Sequence, residues 1–162
     1  MTSGPHFDIS IPERLNLTTY VLENNITRGR GDKIAVSYRD ETYTFRELCR
    51  LTNRMGNILK DFDVSFEDRV LLVLQDSPMW LAGWFGIMKI GGVATHAYTY
   101  LKEDDYRYFM EYVRPKVVIA DETTLEKVRA GARGSRYPKA ILVAAETSPK
   151  LEKDEYHLGP LV

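Results

Sequence analysis

Residues 69–101 read RVLLVLQDSPMWLAGWFGIMKIGGVATHAYTYL and predict a strand, a buried helix and a second strand. Pro78 suits the first turn of a helix, and Gly91 suits the position just past its end. Met79–Met88 carries no charge on any face, which is typical of a helix buried all round. Burying its large apolar side chains contributes roughly 10 kcal/mol, comparable with the net stability of a domain. We therefore expect this helix at the centre of the core.

The remaining pattern alternates strands with helices. Further β-rich runs occupy residues 93–97, 117–120 and 140–144. Such alternation predicts an α/β fold, with a mainly parallel sheet flanked by helices on both faces. A hairpin at residues 34–43 is expected at the margin of that sheet or on a small separate one. Capping boxes at Thr44/Glu47 and Thr123/Glu126 mark two further helix starts.

The two ends of the chain lack the alternating strand and helix pattern of its middle. We expect an N-terminal arm at 1–15, a single α/β subdomain at 16–145, and a polar tail or truncated connection at 146–162. Asn16 and Thr18 are candidate caps of a short helix reaching about residue 24. Its expected inward-facing residues are Leu17, Tyr20 and Val21.

Composition excludes several functional classes. The 22 basic and 23 acidic residues leave a net charge of -1, which gives no electrostatic basis for binding nucleic acid or an anionic membrane. The single cysteine, Cys49, permits neither an internal disulfide nor a cysteine-built zinc site. The buried helix is too short to cross a bilayer, which takes about 20 residues. The N-terminal residues lack an apolar signal region, so the expected location is the cytoplasm.

Common catalytic motifs are absent from the sequence. It contains no phosphate-loop or dinucleotide-binding glycine pattern, no serine nucleophile elbow and no paired-histidine spacing, so no catalytic residue and no metal ligand is assigned. The loop at residues 131–139 has glycines, Ser135 and Lys139 that are suited to phosphate. It precedes a strand, however, and no helix begins after it, so a plain solvent loop is favoured.

Gly91, Gly92, His96 and Tyr98 form the most interesting polar and aromatic group. Ligands of open α/β sheets bind beyond the carboxyl ends of the strands, where this group is a candidate. The alternative is a glycine that ends the helix and a strand that packs its aromatic residues inward. A lone His96 is more typical of a hydrogen-bonded structural histidine than of an acid or base.

Two segments carry a specific resemblance. Thr44-Phe45-Arg46-Glu47-Leu48 and Phe85–Val93 (FGIMKIGGV) closely resemble the first two core motifs of the adenylate-forming superfamily. Their flanks fit as well, and the match spans residues 16–144. The superfamily holds acyl- and aryl-CoA synthetases, and the chain is most similar to the N-terminal portion of benzoate-type CoA ligases.

The resemblance implies an activity for the complete enzyme. Such enzymes use ATP and Mg²⁺ to convert a carboxylate into an acyl-adenylate and then transfer the acyl group to CoA. The expected phosphate loop ending in Pro-Lys, the ribose-binding Asp and the catalytic Lys do not occur in these residues. The chain is thus expected to be an inactive fragment whose partner is the remainder of the parent enzyme, with a homodimer as a further possibility.

The resemblance also bears on the site. The second motif lies beside the substrate channel in the family, which makes Gly91, Gly92, His96 and Tyr98 candidate channel residues. At His96, Tyr98 and Tyr100 the family usually carries a Pro-containing stretch, so the local path is expected to differ. The competing hypothesis is a free-standing α/β module that binds a ligand or a protein without catalysis.

Overall fold

The computed structural model describes residues 11–159. Most of the expected arm at 1–15 therefore lies outside the described residues. No helix within 11–159 is long and apolar enough to cross a membrane.

Five strands form the expected parallel sheet, in the order β4-β3-β5-β6-β7. Every neighbouring pair in it runs parallel, and the two remaining strands form a separate antiparallel hairpin. The strands are β1 Ile34–Tyr38, β2 Glu41–Thr44, β3 Arg69–Val73, β4 Val93–His96, β5 Val117–Asp121, β6 Ala140–Ala144 and β7 Glu155–His157. The α-helices are α1 Phe45–Asp61, α2 Pro78–Lys89, α3 Glu103–Val113 and α4 Leu125–Ala132.

The sheet buries both of its faces, as the continuous apolar strands predict. Alternate residues of β3 point to opposite sides, so that Leu72 packs with α1 and α2 while Leu71 packs with α3 and α4. The first side contains Met55, Leu59 and Ile87 of the helices. The second contains Tyr106 and Met110, both fully buried. The predicted arrangement of helices on both faces is confirmed.

Two predicted helix starts show how local chemistry produces these elements. The Thr44 hydroxyl accepts a hydrogen bond from the Glu47 amide at 3.2 Å, and the Glu47 carboxylate accepts one from the Thr44 amide at 2.8 Å. This reciprocal pair is the predicted capping box of α1. At the start of α2, Ser77 accepts from the Trp80 amide at 3.2 Å, and Pro78 occupies the first helical position.

The segment before the hairpin differs from its prediction. It forms two short π-helical stretches, Thr19–Glu23 and Ile26–Arg30. Asn16 does act as a cap, since its Oδ1 accepts from the Thr18 amide at 3.1 Å, but the Thr18 hydroxyl donates instead to the Phe85 carbonyl at 2.8 Å. Leu17 and Tyr20 are exposed, so their inward placement was wrong, whereas Val21 does pack inward beside the buried Leu22. A π-helix has more residues per turn than an α-helix, so the residues that face inward are not those that α-helical spacing predicts.

Two predictions about the second half of the chain need correction. The predicted Thr123/Glu126 capping box is not formed, because Asp121 accepts hydrogen bonds from the amides of Thr123 and Thr124 at 2.9 and 3.0 Å. The Thr124 hydroxyl donates to the Val73 carbonyl at 2.6 Å. The polar segment 146–162 contains strand β7, which pairs with β6. Three residues with one apolar side chain give no strand periodicity, so the sequence pattern missed it.

Helix α2 is less enclosed than its composition predicts. Phe85 and Ile87 are buried, whereas Trp80 and Trp84 are half-buried and stack on each other at 6.3 Å. The uncharged helix therefore presents one aromatic stripe that its own domain covers only in part.

Candidate functional site

An open cleft of about 1120 Å³ lies at the carboxyl edge of the sheet. Residues that end three parallel strands line it, namely Leu74 and Gln75 after β3, Asp121 of β5, and Ala144 of β6. The hairpin and the first half of α1 supply the facing wall. Because crossover connections in a parallel sheet return every strand in one direction, their ends meet at one edge and leave a crevice for ligands.

Asp121 organises the floor of this cleft. Its Oδ2 accepts a hydrogen bond from the Gln75 amide at 2.7 Å, which ties the end of β3 to the end of β5. Its Oδ1 accepts from the amides that begin the turn into α4. With both oxygens engaged by backbone donors, Asp121 fixes the strand ends rather than standing ready as a base. Its position at a strand end was the sequence signal that could have identified it.

The facing wall is polar and contains charges of both signs. Arg39 of the hairpin pairs with Glu146 at 3.4 Å across the cleft mouth. The Tyr43 hydroxyl donates to Glu41 at 2.5 Å, and this hydrogen bond to a carboxylate raises the pKa of Tyr43 to about 12. Tyr43 is therefore a neutral hydrogen-bonding group at physiological pH. Arg50, on the exposed face of α1, adds a guanidinium to the same wall.

His96 ends β4 at this edge and rests against Trp80 of α2, with the ring centroids 5.1 Å apart. Partial burial beside the indole lowers the pKa of His96, although the residue as a whole remains exposed. The imidazole is therefore neutral at pH 7. It offers a hydrogen-bonding group on an aromatic surface, not a permanent cation.

Tyr98 follows His96 and is exposed beside Tyr100, with ring centroids 5.3 Å apart. Its backbone is fixed, because the buried Tyr106 of α3 donates its hydroxyl proton to the Tyr98 carbonyl at 2.8 Å. The turn that carries these tyrosines is thus held to the body of the domain while their rings remain accessible. His96 and Tyr98 both lie at the carboxyl end of β4.

Gly91 and Gly92 lie away from His96 and Tyr98. Both precede β4, so they lie at the amino edge of the sheet, a strand length of about 13 Å from His96. Gly91 has φ +84°, and a Cβ there would lie 2.9 Å from the Phe66 ring. Gly92 donates to the Ile87 carbonyl at 2.9 Å, closing the end of α2. The observed contacts of both glycines are those of a helix stop.

The other sequence candidates lie away from the cleft. The loop at residues 131–139 precedes β6 and therefore lies at the opposite edge, where the Ser135 hydroxyl donates to Glu111 at 2.7 Å. Cys49 is buried in α1, and burial raises the pKa of its thiol. Within residues 11–159, no three side chains of His, Cys, Asp or Glu cluster as metal ligands.

Comparison with known proteins identifies the relatives of this fold. The family described as AMP-binding enzyme matches residues 22–159. A 3-hydroxybenzoate/4-hydroxybenzoate-CoA ligase of Thauera aromatica is 27% identical over 137 residues, covering 85% of this chain and 26% of the relative. A benzoate-CoA ligase of the same organism is 30% identical over 118 residues, covering 72% of this chain and 22% of the relative.

Solved structures agree with the sequence relatives. An anthranilate CoA ligase in complex with anthranoyl-AMP superposes with a TM-score of 0.77 at 32% identity, over 83% of this chain and 26% of that protein. A benzoate CoA ligase from Burkholderia xenovorans LB400 superposes with a TM-score of 0.75 at 25% identity, over 81% of this chain and 26% of that protein. The chain thus spans about a quarter of the length of these relatives. It belongs to the family of AMP-binding enzymes.

Proposed function

We propose that this chain is the N-terminal portion of an ATP-dependent aryl- or acyl-CoA ligase. The complete enzyme activates a carboxylate with ATP, forming an acyl-adenylate and releasing pyrophosphate. It then transfers the acyl group from the adenylate to the thiol of CoA and releases AMP. Family membership supports the reaction class, and the cleft at the carboxyl edge of β3, β5 and β6 supports the location of the chemistry.

The residues of this chain serve as scaffold in that reaction. The Thr44 motif begins α1 through a capping box, and the second motif ends α2 at Gly91. Glu47 of the first segment lines the cleft, but its carboxylate accepts hydrogen bonds from the Thr44 amide and hydroxyl at 2.8 and 2.7 Å, so it is engaged in the capping box. Asp121 and Gln75 hold the strand ends in register at 2.7 Å, which keeps the crevice shaped for the segments that complete it. Rigid support of this kind is what a reactive site requires from its surroundings.

An aryl carboxylate is the substrate class we favour. The relatives named above act on benzoate, hydroxybenzoates or anthranilate by their descriptions. His96, whose imidazole is tilted by 33° against the Trp80 ring, and the exposed Tyr98 supply an aromatic surface at the same edge as the cleft. Such a surface suits the ring of an aromatic acid, which gains from offset or edge contacts with other rings. Gly91 and Gly92 shape the far end of α2 and take no part in that surface.

The cofactor sites belong to the remainder of the parent enzyme in this proposal. Mg²⁺ is usually held by one or two carboxylates together with the phosphates of the nucleotide, so we place it with the segments that bind ATP. The cleft walls offer arginines but no glycine-rich loop at a helix start, so they do not fit the phosphates of ATP. ATP, Mg²⁺ and CoA are therefore assigned to segments that pack against this edge, and the isolated chain is inactive.

Two further properties follow from this proposal. The isolated chain leaves Trp80 and Trp84 half-buried and the cleft open, and surfaces of this kind favour self-association. A homodimer through that face is the expected state of the fragment alone. The single cysteine and the use of ATP and CoA favour a cytoplasmic enzyme.

The proposal is tested by reading the coding DNA beyond Val162 and expressing the extended chain. An open frame containing a glycine-rich loop that ends in Pro-Lys is expected. The extended protein should exchange pyrophosphate into ATP with benzoate or a hydroxybenzoate and not with acetate. Exchange with acetate alone would contradict the aryl assignment, and an extended protein without any exchange would contradict the ligase assignment.

The second candidate function is a ligand-binding module without catalysis, which the open cleft itself favours. Isothermal titration of the 162-residue chain with benzoate and with AMP separates the two proposals. Saturable binding by this chain alone supports the module. Heat of dilution only, together with exchange by the extended protein, supports the ligase.

A further inference from the structure

The outer face of α3 carries an exposed aromatic pair. Tyr108 is 61% exposed and Tyr112 is 73% exposed, and their rings stack at 5.4 Å with an interplanar angle of 12°. Their opposite neighbours along the helix, Tyr106 and Met110, fill the core, so the two tyrosines lie on the outward face, where Tyr108 also meets the Phe109 ring edge-on at 6.2 Å. Large exposed aromatic side chains that stack on one another mark interaction surfaces.

Carboxylates surround this pair. One helical turn before Tyr108 lie Asp104 and Asp105, and one turn after it lies Glu111, all of them exposed. With Glu103, α3 holds four carboxylates against the single guanidinium of Arg107, which already pairs with Asp104 at 2.6 Å. The remaining surface charge is negative, although the whole chain is nearly neutral at -1.

A surface that combines aromatic rings with carboxylates favours a guanidinium. Arginines make three contacts with two other tyrosine rings of the domain: Arg39 lies over Tyr38 at 5.1 Å, and Arg114 and Arg136 lie over Tyr137 at 5.5 and 5.1 Å. A guanidinium combines stacking on an aromatic face with bidentate pairing to a carboxylate. No cation lies over either Tyr108 or Tyr112 among the described residues.

We infer that the outer face of α3 binds an arginine-bearing segment of a partner protein. Two stacked rings one helical turn apart match arginines placed on one side of a partner helix. Asp105 and Glu111 keep acceptor capacity after their single bonds to the Lys102 amide and the Ser135 hydroxyl, so they can pair with the same guanidinium groups. The surface lies on the sheet face opposite α1 and α2 and is independent of the ligase proposal.

The test is fluorescence anisotropy of a labelled alanine-based peptide with arginine at every fourth position, titrated with the 162-residue chain. Saturable binding is expected, and raising the salt from about 50 to 500 mM should weaken it, because exposed charges are screened. Tyr108→Ala/Tyr112→Ala should weaken binding about tenfold, the combined loss of two cation–π contacts. Tyr108→Phe/Tyr112→Phe should keep binding within about twofold, since the ring faces remain.

Two controls make the result specific. Tyr20→Ala removes another exposed tyrosine, 54% exposed, from the other side of the domain and should leave binding unchanged. The same peptide with lysine in place of arginine should bind more weakly, because an ammonium does not stack. Thermal unfolding confirms that each variant is folded, which the exposure of both tyrosines predicts.

Three results would overturn the inference. Equal binding by the wild type and the Tyr108→Ala/Tyr112→Ala variant would show that the aromatic pair does not contribute to peptide binding. Equal binding of the lysine peptide would show that binding depends on charge alone and not on stacking of a guanidinium. Absence of peptide binding, together with self-association that the same double variant abolishes in sedimentation, would assign the face to a second copy of the chain.

Discussion

The guanidinium of Arg129 on α4 holds the carboxylate of Glu155 on β7 through two hydrogen bonds, Nε to Oε1 and Nη2 to Oε2, each 2.6 Å long. Both residues are only 8% exposed. Strand β7 has three residues and pairs with one neighbour, so its ladder alone is a weak attachment. The ion pair therefore anchors the edge strand to the layer of helices beneath it.

Breaking this pair should be costly. Glu155→Ala leaves a buried guanidinium without its main partner, and we expect the free energy of unfolding to fall by about 3 kcal/mol. Glu126→Ala, which removes an 81% exposed carboxylate from the same arginine, should cost less than about 1 kcal/mol. Chemical denaturation measures both variants, and similar losses in the two would contradict the assignment.

Hydrogen exchange locates the effect. The Leu158 amide donates to the Val143 carbonyl at 2.9 Å and reports on β7. In Glu155→Ala this amide should exchange faster than in the wild type. The exchange rates of amides in the central strand β5 should change only as much as global stability does. Uniform acceleration across the sheet would show that the pair does not act locally on β7.

A second ion pair predicts a pH dependence. Lys116 donates to Asp68 at 2.8 Å, and this hydrogen bond is the largest cause that lowers the pKa of Asp68 to about 2. A carboxyl group with a lowered folded pKa stabilises the protein above its unfolded pKa, about 3.9, and this contribution disappears as the pH falls toward 2. Lys116→Met should return the Asp68 pKa toward its ordinary value. The free energy of unfolding should then depend less on pH between about 3.9 and 2.

Carbon-detected NMR titration of the Asp68 carboxyl measures the shift directly. Lys127→Met serves as the control, because it removes an exposed lysine elsewhere and should leave the Asp68 titration in place. An Asp68 that titrates at its ordinary pKa in the wild type would contradict the structure. The starts of β3 and β5 would then lack the electrostatic contact between Asp68 and Lys116.

Two glycines of α2 should respond differently to alanine. A Cβ on Gly86 would lie 3.1 Å from the Gly56 amide nitrogen of α1, so the two helix backbones would have to separate. A Cβ on Gly83 would meet the end of the Leu72 side chain at 3.0 Å, and a leucine side chain can shift. Gly86→Ala should destabilise by about 1–3 kcal/mol, the usual cost of overpacking.

Gly83→Ala is the matched variant in the same helix. Alanine favours helix formation by about 1 kcal/mol over glycine, which offsets the smaller clash at position 83. Denaturation midpoints should therefore fall clearly for Gly86→Ala and little for Gly83→Ala. The reverse order would contradict the close approach of α1 and α2.

His96 should titrate below the ordinary pKa of histidine, because it is partly buried beside the Trp80 indole. Trp80→Leu should raise this pKa, and Trp84→Leu, one turn further along α2, should leave it nearly unchanged. Because the folded pKa is lowered, protonation favours the unfolded chain, so stability should fall as the pH drops below about 6.5. NMR of the imidazole carbons tests this, and a His96 pKa insensitive to Trp80→Leu would contradict the contact between the two rings.

The sequence predicted the scaffold well, because the scaffold follows from local periodicity. Residues close together in the sequence determine apolar strands such as Leu71–Val73 and the capping box at Thr44. The site was harder to predict, since it depends on which strand ends meet. Gly91 and His96 are close in sequence, yet β4 separates them to opposite edges of the sheet. Strand β7 was missed because a buried ion pair distant in sequence, not an apolar pattern, holds it.

The central claim is that these residues are the scaffold of a CoA ligase and that the reactive groups lie elsewhere in its parent. Pyrophosphate exchange into ATP by the purified 162-residue chain, with 4-hydroxybenzoate as the acid, tests that claim most directly. We expect no exchange above a blank without protein. Exchange that depends on the acid and saturates with it would contradict the account, because these residues would then contain a working adenylation site.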